Sequence, residues 1–427
     1  MIDALKKIYA DSIPENVRKN FNNIVFMYLI NGIFSACYAP FWGYIAKDRF
    51  DAGPFCIALV LTAQSAYGVI SLVVTGFIPD GKEHHFSKYI RMIASIFLVL
   101  SVFTPLFPPM LRAPIFCSLL FCFHFSACYP PVDNAVFAKI FTLDIRTRML
   151  GYAKMFHSVM SMIVTLLAGL IIDKIYYGIS MWQVVFVIGG ICLASCGLIM
   201  GRLNIRADNI KKDNPLVFIK HSFGLLNTDR FNIFLIISGI FYTIGFNMFQ
   251  TLYPIYQVEA LHLKGAQVSV LSVTASLTLI FAFPILGTFY AKKNPIKAWF
   301  FVFPLMIIYP LFYIFVGNCW WPVIIGNILN QAFLVTNDIA WLNMIIYLGG
   351  KDKVKEYQGL YAFFIGVRAF ISLLAAPNVI NFCKTLSFGN VTNLKIAFIA
   401  GIGFCVLSLI FMLPMIKVAK TYTERNK

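Results

Sequence analysis

Apolar stretches of about 20 residues recur along the whole chain and are separated by short polar segments. A helix rises about 1.5 Å per residue, so each stretch is long enough to cross a hydrocarbon layer of about 30 Å. A soluble protein with a large core would instead show shorter apolar runs broken by charged surface positions. The pattern predicts twelve membrane-spanning helices, at residues 22–46, 54–78, 89–107, 113–138, 149–172, 181–201, 231–256, 266–290, 297–317, 320–347, 357–380 and 393–416.

Composition and charge support an all-α integral membrane protein. Hydrophobic residues make up 59% of the 427 positions and charged residues only 12%. The net charge of +17 would suggest a nucleic-acid partner in a soluble protein, but the basic residues lie mainly in short loops. About 26 of the 35 lie on the side that holds the termini, and cytoplasmic loops are enriched in Lys and Arg. We therefore predict cytoplasmic termini and no nucleic-acid partner.

The remaining composition gives little sign of processing or catalysis. The first twenty residues lack an apolar core followed by a small-residue cleavage site, so we expect no removable signal peptide. The ten cysteines lie mostly inside apolar spans without metal-ligand spacing, and no Gly-rich phosphate loop occurs. We expect no metal, no cofactor and no enzymatic activity.

The longest polar stretch separates two sets of six spans and suggests a duplicated unit. Residues recur at a nearly fixed offset: Asn31-Gly32-Ile33-Phe34 matches Ser238-Gly239-Ile240-Phe241 at 207 positions, and Asp144 matches Asp352 at 208. The predicted organisation is a cytoplasmic amphipathic segment at 1–21, a six-helix bundle at 22–201, a cytoplasmic central loop at 202–230, a second six-helix bundle at 231–416 and a cytoplasmic tail at 417–427.

Three loop motifs resemble the major facilitator superfamily. The loop after the second span carries Gly76, Asp80, Lys88 and Arg91, although the segment between Asp80 and Lys88 departs from the compact family form. The other two motifs are Asp144-Ile145-Arg146-Thr147-Arg148 and Trp182-Gln183-Val184-Val185-Phe186. The resemblance implies two pseudo-symmetric six-helix bundles that rock about a central site. Signatures of antiporters and sugar porters are missing, so no subfamily is assigned.

Two acidic residues, Asp133 and Asp338, lie well inside spans, at equivalent places in the fourth and tenth helices. Charges in hydrocarbon are costly, so each is a functional candidate. Either could carry a proton, or could pair near the cytoplasmic face with Arg91, Arg146 or Lys88. In the superfamily such pairs latch the cytoplasmic gate. The candidate coupling or gating residues are therefore Asp133, Asp338, Asp80, Arg91, Asp144 and Arg146.

Arg368 lies roughly 18 Å from the cytoplasmic end of the eleventh span, near the midplane of the bilayer. Its guanidinium would suit a carboxylate or phosphate on a substrate. An internal ion pair with Asp338, or a clamp on helix carbonyls, is an equally open interpretation.

Uncharged polar residues cluster on the first, fourth, seventh and tenth spans, which the resemblance implies line a central cavity. Each could instead form an interhelical hydrogen bond. Together with Arg368, the predicted substrate-binding residues are Asn31, Tyr38, His124, Asn247, Gln250, Asn330, Gln331, Asn337 and Trp341.

The predicted function is secondary active transport of a small polar solute by alternating access. Arg368 and the missing antiporter signature favour uptake of an organic anion or zwitterion, with protons as a candidate coupling ion. Proton-driven efflux of a drug or siderophore is the alternative, and a transport-dead receptor or assembly protein is a more distant one. We expect a monomer in a lipid bilayer, in the cytoplasmic (inner) membrane of a bacterium.

Overall fold

The described part of the chain contains a helix in each of the twelve predicted spans. The computed structural model describes residues 15–63, 82–126, 129, 132–133, 136–137, 140–141, 143–203, 230–291, 295–316, 319–349 and 354–425. The helices, numbered by span, are α1a Glu15–Tyr38, α1b Trp42–Asp48, α2 Pro54–Ala63, α3 Glu83–Ser101, α4 Pro109–Ser126, α5 Leu143–Ile171, α6 Met181–Met200, α7 Arg230–Glu259, α8 Gly265–Ala291, α9 Pro295–Ile314, α10 Pro322–Gly349, α11 Val354–Lys384 and α12 Asn390–Arg425. Within the described part of the chain, eight helical stretches are long and apolar enough to cross a membrane. The protein is an integral, multi-pass membrane protein.

The first span is broken near its end, at Pro40. Proline disfavours helical backbone in the residue before it, and α1a accordingly ends at Tyr38. The chain turns and resumes as the short helix α1b, whose Trp42, Tyr44 and Ile45 are buried. We call the end of the bundle opposite the chain termini, where α1b, α5, α7 and α11 end, the far end. The break lets α1b pack against α7 at this end.

A two-stranded ribbon joins α5 to α6 at the far end. Strand β1, Ile175–Tyr176, pairs antiparallel with β2, Ile179–Ser180. The two turn residues, Tyr177 and Gly178, both have positive φ angles, of 49° and 79°. This is the backbone that a two-residue hairpin turn requires, and glycine adopts it without steric cost. The ribbon leads directly into α6.

The two halves repeat the same packing. In the first half α1a packs against α5 and α6, and α3 against α4 and α6; in the second, α7 packs against α11 and α12, and α9 against α10 and α12. The repeated glycines occupy matching contacts, because Gly32 on α1a meets the backbone of His157 on α5 while Gly239 on α7 meets the Arg368 side chain on α11. The fold is therefore two pseudo-symmetric six-helix bundles, as the sequence predicts.

The two bundles meet at the far end. Helix α5 packs against α8, and α1b packs against α7. Gly169 on α5 faces the Ser269 side chain, and Gly265 at the start of α8 faces Ile172. A side chain at either glycine would occupy space that the other bundle already fills. These contacts close the space between the bundles at this end.

Candidate substrate-binding cavity

A cavity of about 480 Å³ lies between the two bundles, directly below the far-end contacts. Its volume falls within the range of small-molecule sites. Helices α1a, α1b, α2 and α4 line it from the first bundle, and α7, α8, α9 and α10 from the second. Trp42, Gly43 and Pro254 border it where α1b meets α7. Both halves of the protein therefore contribute to one central site.

Aromatic rings form a wall on each side of the cavity. In the first bundle, the Tyr38 ring lies 4.9 Å from Phe123 and 6.2 Å from Phe34 between centroids. In the second, the rings of Tyr253 and Tyr313 are 4.6 Å apart, tilted by 31°. All five side chains line the cavity. Each of the five is less than a tenth exposed, so the rings border the cavity from both bundles and offer it part of their apolar surface.

Amide side chains lie between these walls on two helices. Gln250 and Gln257 project from α7, and Asn327, Asn330 and Gln331 from α10. The Asn327 amide donates a hydrogen bond to the backbone carbonyl of Leu271 and so ties α10 to α8. Asn330 is only 5% exposed, and its Oδ1 atom accepts no hydrogen bond within the described part of the chain. A buried acceptor of this kind is costly unless a ligand or water supplies a donor.

A further polar contact, between Tyr38 and His124, joins α1a to α4. The Tyr38 hydroxyl lies 2.6 Å from Nε2 of His124, within hydrogen-bond distance. Among the lining residues that the structure describes, none is Lys, Arg, Asp or Glu. The described surface of the cavity is therefore polar and aromatic, without a carboxylate, ammonium or guanidinium group.

Asp133 pairs with Arg91 in the first bundle, and neither is among the described lining residues of the central cavity. Both guanidinium Nη atoms of Arg91 contact the carboxylate, the Nη1–Oδ1 distance being 3.1 Å. Ser87 donates a hydrogen bond of 2.6 Å to the same carboxylate, and the Arg91 guanidinium stacks 3.9 Å from the Tyr129 ring centroid. The pairing with Arg91 is one of the three that the sequence offered for Asp133. A smaller cavity of about 250 Å³ is lined by Arg91, Asp133 and Tyr129, together with Asn31.

Arg368 lies in a third, narrow cavity of about 60 Å³ between α7 and α11. Apolar side chains such as Leu235 and Phe364 line it, and the guanidinium lies 5.7 Å from the ring of Tyr242. Arg368 is not among the described lining residues of the central cavity. Its predicted contact with substrate therefore stays a prediction.

The other predicted residues fall into three groups. Those that line the central cavity are Tyr38, His124, Gln250, Asn330 and Gln331. Asn247 on α7 is buried and Asn337 on α10 is partly buried, and neither is among the described lining residues. The predicted residues that lie outside the description are Asp80 entirely and the side chains of Asp144, Arg146, Asp338 and Trp341.

Sequence reasoning missed several lining residues. Gln257 was omitted because the seventh span was predicted to end at residue 256, whereas α7 continues to Glu259. Gln250, Tyr253 and Gln257 are spaced for one helical face, so the helical period was the signal that could have included Gln257. Phe34, Phe123 and Tyr313 resembled the many packing aromatics, and their spacing alone did not distinguish them.

Charged side chains connect the bundles across the far end. Glu259 on α7 lies 2.6 Å from the Lys47 ammonium of α1b, and it also accepts hydrogen bonds from Lys384, at 3.2 Å, and Asn390, at 3.0 Å. Lys47 belongs to the first bundle and the other three to the second.

Asp173 forms a second such connection. Its carboxylate, just beyond α5, accepts hydrogen bonds from the Gly265 backbone N–H at 2.7 Å and from the Tyr44 hydroxyl at 3.1 Å. Carboxylates are well placed at a helix N-terminus, where backbone N–H groups are free. Ion pairs and hydrogen bonds therefore reinforce the closed far end.

The sequence profile of the Major Facilitator Superfamily matches residues 24–373, and the chain belongs to that family. A mutant of the nucleoside transporter NupG superposes with a TM-score of 0.73 at 11% identity, over 92% of this chain and 99% of that one. A bacterial homologue of the human lysosomal transporter Spinster, inward-facing and unoccupied, gives 0.68 at 10% identity, over 97% and 99%. A D-xylose–proton symporter gives 0.61 at 12%, over 93% and 98%. A search of curated protein sequences finds no match.

Proposed function

We propose that this member of the superfamily is a secondary transporter that takes up a small polar solute through the central cavity. The observation that carries the proposal is one cavity, built from both bundles, beneath a closed far end. Rocking of the bundles about such a site would expose it to each side of the membrane in turn. We further propose that the protein works as a monomer, since each bundle pair contains a complete cavity.

The direction of access follows from the basic residues. Their concentration on the side of the termini favours a cytoplasmic location for that side, in the inner membrane of a bacterium. The far end would then face outward, and its closure would block access from outside. The Spinster homologue, whose fold is similar, was solved in an inward-facing state. Opening of the far end would admit solute from outside.

The class of solute is the finer part of the proposal. Binding of an organic anion or zwitterion would require Arg368 to contact the substrate, because the described lining of the cavity holds no comparable cation. Among proteins of similar fold, NupG is a nucleoside transporter and another is a D-xylose–proton symporter, whereas others are proton-dependent oligopeptide transporters. Likeness of fold therefore does not choose the class of solute. Efflux of a drug or siderophore remains the alternative direction.

Proton coupling is a separate element of the proposal, supported by the likeness to the D-xylose–proton symporter. Asp133 is held by Arg91 and Ser87, and these contacts favour a structural role for it over that of a proton carrier. We expect Asp133→Asn, where it folds, to retain uptake driven by a pH gradient. If the variant still binds solute but its uptake no longer responds to the pH gradient, Asp133 is the proton carrier.

Counterflow in proteoliposomes tests the transport proposal. Vesicles loaded with unlabelled uridine, D-xylose, L-glutamate or ethidium are placed in the labelled form of the same compound. We expect saturable accumulation of one of these, abolished by Asn330→Trp, which fills the cavity, and retained by the exposed control Asn378→Trp. A compound that binds the protein without counterflow would favour the transport-dead receptor instead.

A further inference from the structure

We infer that the central cavity selects an uncharged, ring-shaped solute that carries hydrogen-bond donors on its edge. This inference rests on the proposed transport function. Nucleosides and monosaccharides share this chemistry. The inference replaces the organic anion or zwitterion favoured by the sequence, and it follows from the charge, the aromatic walls and the amides of the cavity.

The charge balance of the cavity disfavours an ion. A charge that leaves water is costly unless a counter-charge or several hydrogen bonds meet it. The described lining holds no Lys, Arg, Asp or Glu. The nearby cations are already engaged, since Arg91 pairs with Asp133 and Lys47 pairs with Glu259. A carboxylate or phosphate in this site would therefore lack a described ionic partner.

The aromatic walls favour a ring. Tyr38 and Phe123 present ring surfaces from the first bundle, and Tyr253 and Tyr313 from the second. Aromatic side chains contribute about 1–3 kcal/mol for each nucleic-acid base that stacks on them. The apolar C–H face of a sugar ring can lie on the same surfaces. A flexible, extended solute would use these surfaces poorly.

The amides favour hydrogen-bonding edges without charge. Gln250, Gln257 and Gln331 each carry both donors and acceptors, so they can match hydroxyl, carbonyl and ring N–H groups. Asn330 adds a specific requirement, because its buried Oδ1 accepts no hydrogen bond from the described residues. A ligand O–H or N–H would supply the missing donor. A carboxylate or a doubly ionised phosphate is an acceptor only and cannot supply one from the charged group.

The test compares neutral solutes with counterparts that carry an added phosphate group. The purified full chain in detergent is titrated with uridine and with uridine 5′-monophosphate, with D-glucose and with glucose 6-phosphate, and with L-glutamate. Binding is followed by the rise in melting temperature and by calorimetry. We expect one neutral compound to bind and its phosphorylated counterpart to bind about 100-fold more weakly or not at all. The two neutral arms distinguish a nucleoside from a sugar.

Variants at the cavity identify where the solute binds. Asn330→Ala should weaken binding of the neutral compound about tenfold through loss of one hydrogen bond. It should not lower the melting temperature of the free protein, because it removes an acceptor that has no described partner. The matched control Asn378→Ala, whose side chain bonds only to the Leu374 carbonyl among described residues, should leave binding unchanged.

Two results would overturn the inference. One is binding of glutamate or of a phosphorylated compound at least as tight as that of the neutral counterparts, with loss of that binding in Arg368→Lys. The other is a panel in which neither neutral compound binds. Counterflow distinguishes failure of this inference from failure of the transport proposal. An anion that accumulates would support transport and contradict the inference. A neutral compound that binds without counterflow would support the inferred selectivity for neutral solutes and contradict transport.

Discussion

At the scale of single residues, the clearest energetic element is the buried pair of Arg91 and Asp133. Their side chains are 4% and 8% exposed, so neither charge is compensated by water. Ser87 and the Tyr129 ring contact the same groups. In such an environment the pair is stable only as a unit, because each charge satisfies the other.

We predict that Asp133→Ala lowers the free energy of unfolding by about 3–5 kcal/mol, because it leaves Arg91 buried without its counter-charge. The measurement is thermal unfolding of the purified protein in detergent. The double variant Arg91→Met with Asp133→Ala should recover much of this loss, since it removes both charges. If Asp133→Ala costs less than about 1 kcal/mol, the carboxylate is not needed to compensate Arg91.

The residue scale is also where sequence reasoning was least complete. Depth along a helix can be counted from the sequence, so Arg368 could be placed near the midplane. Depth does not specify direction around the helix axis, and Arg368 lies in the narrow cavity beside α7. Likewise, three partners were open to Asp133 from the sequence, and only the folded structure, which brings it beside Arg91 of α3, selects one of them among the described residues.

At the scale of elements, the contact of α5 with α8 depends on small residues. Gly169 on α5 lies against Ser269 on α8, and Gly265 lies against Ile172. Small residues let two helix backbones approach closely within a membrane. Because these helices belong to different bundles, their approach is part of the far-end closure rather than of either bundle alone.

We predict that Gly169→Ala shifts the protein away from the far-end-closed state. The new methyl group would overlap the Ser269 side chain, and overpacking of this kind costs about 1–3 kcal/mol. Spin labels at Gly53→Cys and Ser387→Cys, one on each bundle at the far end, report the opening by pulsed electron resonance in a Cys319→Ser background.

A longer distance between the labels is expected in Gly169→Ala than in the unsubstituted parent. The matched control is Gly403→Ala on α12, where an added Cβ meets no atom within 4 Å. It should leave the distance unchanged. Equal distances in all three proteins would mean that the α5–α8 contact does not govern closure.

The positions of the helices were largely predictable, because each membrane span needs a long run of apolar residues whatever its neighbours are. The breaks within helices and the ends of helices were less predictable. The predicted first span, 22–46, is two helices separated at Pro40, and α12 continues to Arg425, beyond the predicted end of its span. Helix continuation into water depends on local propensity rather than on the hydrocarbon, so the hydropathy pattern does not mark it.

At the scale of the whole molecule, the repeated helix packing and the far-end closure together define the state of the protein. The offset of about 207 residues predicted two similar bundles, and the same helix pairs do pack in each half. The relative placement of the bundles could not be predicted, because it depends on contacts between residues such as Lys47 and Glu259 that are over 200 positions apart. Lys47 and Glu259 come close together only after both bundles have folded.

The far-end ion pairs make the closed state sensitive to charge, and this can be tested by reversal. In Glu259→Lys, three ammonium groups would face one another where Lys47 and Lys384 now share a carboxylate. Lys47 is 9% exposed and Glu259 17%, so solvent screens their repulsion only partly. We predict that the reversal disfavours the closed far end by about 2 kcal/mol, or about thirtyfold in the equilibrium, seen as a longer distance between the labels at positions 53 and 387.

The exchanged pair, Lys47→Glu with Glu259→Lys, should restore much of the closure, because it rebuilds the attraction between the bundles while leaving the net charge of the protein unchanged. Arg112→Glu is the matched control, since Arg112 also lies at the far end but donates its hydrogen bond to Phe107 of its own bundle. Reversal there should leave the distance between the labels as it is. If Glu259→Lys opens the far end and the exchanged pair fails to close it, simple attraction between these two residues does not hold the bundles together, and the connection made by Asp173 with Gly265 and Tyr44 becomes the principal latch.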